Sequence, residues 1–230
     1  MTSNTALIVG AGSGLSAALT RTLTREGYRC VLAARNIEKL AALCAQTGAR
    51  ALPCDVAGQA DVARLFSQLD AENAAPSVVI YNPSARVRGP LVDLDPAAVE
   101  NAINITAFGG FLVAQQAARR MLKAGRGTIV FTGASASIKG YPNSSVFAMG
   151  KFALRGLAQS MARELAPQGI HVAHVIIDGG IRAASRPESA DSPDSMLSPD
   201  AIADSYLHLI RQPRNAWTWE IEVRPWVEKF

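Results

Sequence analysis

Short apolar runs alternate with longer segments in which apolar residues recur at helical spacing, and this pattern continues along most of the chain. The short runs are typical of strands buried on both faces of a parallel sheet, and the longer segments are typical of amphipathic helices. We predict strands at Ala6 to Val9, Arg29 to Ala34, Arg50 to Cys54, Ser77 to Tyr81, Gly125 to Thr132, Gly169 to Ile177 and, at the sheet edge, Trp217 to Val223. We predict helices at Leu15 to Glu26, Asn36 to Thr47, Gly58 to Asn73, Pro96 to Lys123 and Ser144 to Ala166. This alternation predicts an α/β fold: a doubly wound parallel sheet between two helical layers, with right-handed crossovers.

A glycine-rich turn joins the first predicted strand to the first predicted helix. Gly10, Gly12 and Gly14 follow the strand at once, and Leu15 begins the helical spacing. Glycines let the backbone approach a pyrophosphate, and a helix N-terminus offers free N–H donors and the positive end of its dipole. The turn therefore predicts a dinucleotide site, with a purely structural glycine turn as the alternative.

Composition narrows the class of protein. No linker-like stretch divides the apolar segments, so we expect residues 1–230 to form one domain. The net charge is +4 with no basic block, so we expect no nucleic-acid partner and only a slight attraction for anionic ligands. Cys30, Cys44 and Cys54 are widely spaced and odd in number, which is typical of reduced cysteines in a cytoplasmic protein. No targeting segment or long apolar run is evident, so we expect no membrane partner.

Two residues at predicted strand ends bear on the cofactor. Arg35 lies at the tip of the second strand, where an acidic residue would favour NAD and an arginine accommodates the 2′-phosphate of NADP. We therefore predict NADP(H) over NAD(H), with a solvated arginine at a helix start as the alternative. Asp55 follows the third strand, where it faces the adenine or caps the next helix.

Several further motifs carry a resemblance to a known family. These are Tyr81-Asn82-Pro83-Ser84 after the fourth strand, Asn104 in a long helix, and Gly169-Ile170-His171-Val172 followed by Asp178-Gly179. Together with the glycine turn, they make the chain resemble a short-chain dehydrogenase/reductase over nearly all its length. The resemblance implies a Rossmann fold that binds NAD(P) and an oxidoreductase acting on a small carbonyl or alcohol.

The family uses a Tyr-x-x-x-Lys pair on the helix after the fifth strand, with a serine at the preceding strand end. Here the pair is Phe147 and Lys151, and the serine position falls on Ala134, with Ser135 one residue later. In the family the lysine holds the nicotinamide ribose and lowers the pKa of the tyrosine, so that the phenol exchanges a proton with the substrate. Phenylalanine has no dissociable proton, so the proton donor is the open question.

The resemblance assigns two sets of site residues. The catalytic set is Asn104, Ser135, Phe147 and Lys151. The cofactor set is Gly10, Gly12, Ser13, Gly14, Leu15, Arg35, Asp55, Val56, Asn82, Lys151, Asp178, Gly179 and Ile181.

Three further expectations concern the later part of the chain. Asp178 is either a new acid/base group or a turn aspartate. His171 and His174 have an odd spacing that puts them on opposite faces of a strand, so we predict no metal site. The polar segment Arg182 to Ser198 is interpreted as a mobile lid over the cleft.

Two functions follow from these residues. The first is an NADP(H)-dependent oxidoreductase with a degenerate catalytic site. The second is an NADP(H)-binding sensor or partner-binding protein without turnover, and Phe147 is the residue that divides the two. The resemblance also implies that the two long helices pair across a two-fold axis, so we expect a homodimer or homotetramer.

Overall fold

The computed structural model describes residues 4–228 of the chain. Within them, the strands are β1 (Thr5–Val9), β2 (Arg29–Ala34), β3 (Arg50–Pro53), β4 (Val78–Tyr81), β5 (Gly127–Thr132), β6 (Ile170–Ile177) and β7 (Glu220–Val223). The α-helices are α1 (Leu15–Arg25), α2 (Ala41–Thr47), α3 (Gln59–Ala71), α4 (Pro96–Ile103), α5 (Gly109–Ala124), α6 (Ser145–Leu165) and α7 (Pro199–Arg211).

The strands form one sheet in the order β3-β2-β1-β4-β5-β6-β7, and every neighbouring pair is parallel. The chain winds outward from β1 in one direction and then, after β3, returns to place β4 on the other side of β1. This order is the predicted doubly wound sheet of a single Rossmann-like domain. Ligands of such sheets bind at the carboxyl ends of the strands near this reversal point.

Helices cover both faces of the sheet, as predicted. On one face, Leu19 of α1 shares a buried cluster with Ile202 and Tyr206 of α7. On the other, Leu65 of α3 shares a cluster with Val113 of α5, Leu154 of α6 and their neighbours. These apolar layers hold the strand ends, and the loops that follow them, in fixed positions.

The predicted continuous helix Pro96 to Lys123 is interrupted by a π-helical turn, Asn104–Phe108, between α4 and α5. The reason lies in β4: the phenol of Tyr81 donates a hydrogen bond of 2.5 Å to the carbonyl of Ile105 within that turn. A Cβ at Gly109 would lie 2.6 Å from the same phenol oxygen, so only glycine fits beside it. The tyrosine and the glycine together fix the register of α5 on the sheet.

The segment Pro96–Ala124 is long and apolar enough, by length and composition, to cross a membrane. In the fold its inward side chains, among them Leu112, Val113 and Ala117, belong to the core beside the sheet. Its apolar character is thus partly accounted for by packing.

Sequence reasoning missed α7 and misplaced the start of α2. Helix α7 follows Ser198 with Pro199 at its first position, a recognisable start signal hidden at the end of a polar segment. Asn36 does not cap an α-helix; its Oδ1 accepts the N–H of Glu38, and a 3-10 turn (Glu38–Leu40) precedes α2. The cysteines are free, with Cys30 and Cys54 buried.

A buried polar network joins β6, β7 and the loop after β5. His174 Nδ1 lies 3.0 Å from Glu220 Oε2, and Nε2 lies 3.4 Å from Ser137 Oγ. Arg155 of α6 holds Glu220 through two bonds of 2.6 and 2.7 Å, and Ser137 Oγ accepts the N–H of Ala134. His171 instead contacts Thr218 and Trp217. The His174 network therefore positions the loop that carries Ala134.

We expect His174 to make stability depend on pH. Burial is the main cause that lowers its pKa to about 4, against the ordinary 6.5 of the unfolded chain. As pH falls, His174 takes up a proton near pH 6.5 in the unfolded chain but only near pH 4 in the folded chain. The neutral, buried His174 therefore contributes its full stabilisation above pH 6.5, and this contribution to the free energy of unfolding is lost as pH falls from 6.5 to about 4. Relative to His174→Gln, the wild type should lose about 1–3 kcal/mol of unfolding free energy over that range. Denaturant unfolding at a series of pH values measures this loss, and His208→Gln, at an exposed histidine, is the control. A difference in unfolding free energy between the wild type and His174→Gln that does not change with pH would contradict the role of His174.

Candidate cofactor and substrate cleft

Hydrogen bonds connect the glycine turn after β1 to β2 and to the loop that follows β4. The N–H groups of Gly10 and Ala11 both donate to the carbonyl of Ala33, at 2.9 and 3.1 Å. Asn82 donates through Nδ2 to Ser16 Oγ at 2.9 Å, and Ser16 Oγ donates to the carbonyl of Gly10 at 3.1 Å. Ser16 thus links the glycine turn to the loop after β4, a contact that sequence reasoning did not foresee.

The same turn leaves a space that fits a pyrophosphate. A Cβ at Gly12 or Gly14 would meet nothing within 4 Å. Helix α1 begins after Gly14 with no side-chain cap and no acidic residue in its first turn, so its first N–H groups face the cleft without a side-chain acceptor. Unpaired donors at the N-terminus of a helix attract anions. The donor set is therefore suited to the phosphates of a dinucleotide.

A cavity of about 430 Å³ at the ends of β2 and β3 extends this site. Its lining includes the predicted Arg35, Asp55, Val56 and Asn82, together with Lys39. Asp55 lines the cavity and also accepts the N–H of Ala57 through Oδ1, while the N-cap of α3 is Gly58. Asp55 is therefore not the helix cap, and its contact with the adenine stays a prediction with which its place in the cavity lining agrees.

Lys151 and Phe147 share one face of α6 and line a larger cleft of about 550 Å³, together with Gly12, Gly14 and Leu15. Lys151 is almost fully buried and donates through Nζ to the carbonyl of Thr132 at 2.6 Å. Burial, and then the positive charge of Arg86, lowers the pKa of this lysine to about 7. The structure thus brings the glycine turn and an amine that loses its proton near neutral pH into one cleft.

Ala134 and Ser135 line different spaces. Ala134 lines the larger cleft, and Ser135 lines a neighbouring cavity of about 440 Å³, which shares Arg86 and Phe147 with that cleft. Ser135 is therefore absent from the lining of the cleft that contains the glycine turn. We call this second space the outer cavity.

Asp178 forms ion pairs with two cationic side chains and does not line the cleft. Its carboxylate lies 3.3 Å from Lys139 Nζ and 3.3 Å from the guanidinium of Arg224, and its side chain is buried. The residues that follow it, Gly179 and Ile181, do line the cleft, but Asp178 is not among the lining residues. The turn interpretation of Asp178 fits this placement, and the acid/base interpretation does not.

Asn104 and Ser13 also lie outside the cleft lining. Ser13 is exposed beside the glycine turn, and Asn104 is half-buried at the start of the π-helical turn. Thr106, which sequence reasoning did not single out, is buried between the loop after β4 and α6. Its Oγ1 accepts the N–H of Ala85 at 3.0 Å, and a Cβ on Gly150, next to Lys151, would meet its side chain.

The segment from Arg182 to Ser198 crosses one side of the cleft. Arg182, Ala183 and Arg186 line it, and a bridge between Ile181 and Leu197 joins the two ends of the segment. Leu197 also packs into the buried cluster that contains α1 and α7 residues. The position of this segment agrees with the prediction that it covers the cleft. Its mobility stays a prediction.

Known proteins match this chain over nearly its full length. A model of the short chain dehydrogenase family matches residues 4–192. An uncharacterised oxidoreductase of Staphylococcus aureus is 28% identical over 231 residues, covering 98% of each chain. The crystal structure of a short-chain dehydrogenase from Rhodopseudomonas palustris is 36% identical with a TM-score of 0.83, covering 98% of this chain and 100% of that one. A metagenomic short-chain oxidoreductase, solved in complex with NADP, is 27% identical with a TM-score of 0.85, covering 97% and 98%. With this much of its length matched, the chain belongs to the short-chain dehydrogenase/reductase family of oxidoreductases.

Proposed function

We propose that this protein is a cytoplasmic NADP(H)-dependent oxidoreductase that interconverts a small carbonyl compound and its alcohol. One observation carries the proposal: the glycine turn and the buried Lys151 line the same cleft, so a dinucleotide held at the turn extends to the amine. The bound cofactor would supply or accept the hydride, and the protein would supply the proton, the orientation and the exclusion of water.

NADP is favoured by two cations at the adenosine end. Arg35 and Lys39 both line the cavity at the ends of β2 and β3, where a 2′-phosphate would lie. The metagenomic relative that was solved with NADP supports the same choice.

NADPH should accordingly bind more tightly than NADH. Arg35→Ala should narrow the difference by about 1–3 kcal/mol, because it removes a charge-assisted hydrogen bond to the phosphate. Calorimetric titration measures both affinities. Arg119→Ala, at an exposed position on α5, should leave them unchanged, and equal affinity for the two cofactors in the wild type would contradict the preference.

The proton is assigned to Lys151. Phe147 and Lys151 correspond to the family's Tyr-x-x-x-Lys pair, but the phenylalanine has no proton to give. With a pKa of about 7, Lys151 is close to the optimum for a general acid at neutral pH. In carbonyl reduction Lys151 Nζ would give a proton to the carbonyl oxygen and recover one from solvent, while the bound cofactor would supply the hydride to the carbonyl carbon.

An NADP(H)-binding sensor without turnover is the second candidate function. The observation that favours it is the buried ring of Phe147 at the tyrosine position. Lys151 can bind ribose hydroxyls without any proton transfer, so cofactor binding survives the loss of the phenol better than catalysis does.

Restoring the phenol tests the two functions. Phe147→Tyr adds a hydroxyl to a ring whose centroid lies 4.0 Å from the guanidinium carbon of Arg86 and 5.9 Å from Lys151 Nζ, and these charges should lower the pKa of the new phenol. Ala134→Ser should add a hydrogen bond to the substrate oxygen. The double variant should reduce a broad carbonyl substrate about 10²-fold faster or more, with little change in NADPH affinity. Adding Lys151→Met to it should abolish the gain.

The pH profile of the wild type provides the complementary measurement. Because Lys151 must be protonated to donate, kcat/KM for reduction should fall as pH rises through about 7. Rapid turnover by the wild type, together with slower turnover by Phe147→Tyr, would contradict the idea that the site is impaired. Lys151 would then be a sufficient proton donor without a phenol. NADPH binding with no turnover in either protein would support the sensor.

We also propose a homodimer or homotetramer formed through the long helices. Large apolar side chains are exposed along the π-helical turn, α5 and α6, namely Phe108, Phe111, Leu122, Met149 and Phe152. The rings of Phe108 and Phe111 stack with centroids 6.0 Å apart, which makes a continuous apolar surface. A two-fold axis would bury these patches against each other.

Sedimentation at micromolar concentration should therefore show an oligomer. Phe111→Glu with Phe152→Glu should shift it to the monomer, because each copy would bury unpaired charge. Val92→Glu, at an exposed apolar position outside these helices, is the matched control. A monomeric wild type would contradict the proposal.

A further inference from the structure

The outer cavity contains an unbalanced positive charge. Arg86 and Arg88 line it with polar groups from Ser135, Tyr141 and Asn143, and its lining contains no carboxylate. The larger cleft beside it is similar: Arg86, Lys151, Arg182 and Arg186 line it without an acidic side chain.

Arg86 stands where the two spaces meet. Its guanidinium carbon lies 4.0 Å above the centroid of the Phe147 ring, and Lys151 Nζ lies 5.9 Å from that centroid. The ring face stabilises the cation and fixes it in place. Arg86 and Arg88 are both exposed residues, but partial desolvation of the Arg86 guanidinium, followed by the charges of Arg88 and Arg186, lowers the pKa of Arg86. Several positive groups are thus held near one another at some cost in free energy.

Neither arginine has an acceptor of its own. Across residues 4–228, no hydrogen bond or ion pair engages the guanidinium of Arg86 or Arg88. Other arginines do have partners: Arg120 pairs with Asp70, and Arg155 pairs with Glu220. Arg86 and Arg88 therefore present free, forked donors to the cavity, a geometry that matches a carboxylate or a phosphate.

The phosphates of the cofactor have donors elsewhere. The N-terminus of α1 faces the pyrophosphate position, and Arg35 faces the adenosine end. Arg88 lines the outer cavity and is absent from the lining of the cleft that contains the glycine turn. An anion bound by both Arg86 and Arg88 would lie on the substrate side.

We infer that the substrate carries an oxyanion, a carboxylate or a phosphate ester, which Arg86 and Arg88 bind in the outer cavity while its carbonyl lies beside Phe147 and Lys151. This inference rests on the proposed oxidoreductase function and assigns its substrate class: an oxo acid or an oxoalkyl phosphate. The oxyanion takes no part in the bond changes. It fixes the orientation of the carbonyl and relieves the repulsion between Arg86 and Lys151.

Matched pairs of charged and neutral probes test the inference. The pairs are 4-oxopentanoate with its methyl ester, and dihydroxyacetone phosphate with dihydroxyacetone. Calorimetry on the protein saturated with NADP⁺, which cannot reduce the carbonyl probes, should show the charged member of at least one pair binding ten times more tightly or better, and the pair with the larger preference identifies the oxyanion. Arg86→Gln should reduce that preference about 10- to 100-fold, and Arg88→Gln, which leaves the contact of Arg86 with the Phe147 ring in place, about 3-fold. Arg119→Gln should leave it intact.

The outcomes separate this inference from the proposed function. Equal affinity within both pairs, or a preference that survives the double Arg86→Gln/Arg88→Gln change, would overturn the inference while NADPH-dependent reduction of the neutral probes still stands. A loss of NADPH affinity in Arg88→Gln would also overturn it, because the arginines would then serve the cofactor. If NADPH does not bind, the proposed function fails. Titration of the free chain with succinate and with inorganic phosphate, wild type against the double variant, then decides for or against the anion site on its own.

Discussion

The buried ammonium of Lys151 is the constraint around which the rest of the cleft is arranged. Removing an ammonium from water is costly, and in this fold one short hydrogen bond to the carbonyl of Thr132 offsets part of that cost. The bond sets the spacing between α6 and the end of β5, and therefore the width of the cleft. The Tyr206 phenol, 2.8 Å from Thr132 Oγ1, steadies the same strand end from the opposite face of the sheet. A cation placed in this way is poorly solvated, and any bound anion or hydroxyl that approaches it becomes a more favourable partner than it would be in water.

The local parts of this architecture could be predicted from the sequence. The strands, the glycine turn, Arg35 and the shared face of Phe147 and Lys151 follow from short-range periodicity and spacing, because each depends on neighbours along the chain. The placements that could not be predicted depend on remote partners. Asp178 pairs with Lys139 and Arg224, and the π-helical turn is imposed by a phenol from β4. No local pattern records such contacts.

Arg86 and Arg88, which line the outer cavity, also show that local sequence patterns do not reveal contacts with distant residues. In the sequence they are two basic residues in a Pro- and Gly-containing loop, a pattern typical of solvated surface charge. Their meaning comes from the cavity they share and from the aromatic ring beneath one of them, which belongs to a helix far along the chain. Ser135 and Ala134 show how fine the distinction is, since adjacent residues at one strand end line different spaces.

The His174 network has a consequence for how the protein is made. Ser137, which braces the N–H of Ala134, is held by a histidine in β6, and that histidine is held by Glu220 in the edge strand β7. The wall of the cleft is therefore supported by the strand that is synthesised last among the seven strands of this sheet. During synthesis, the glycine turn, the cavity at the ends of β2 and β3, and α6 can assemble before Glu220 of β7 is available to hold His174 and, through it, the loop after β5. The nascent domain would acquire a place for the nucleotide first, and a defined surface for the second reactant only when translation of the edge strand is complete.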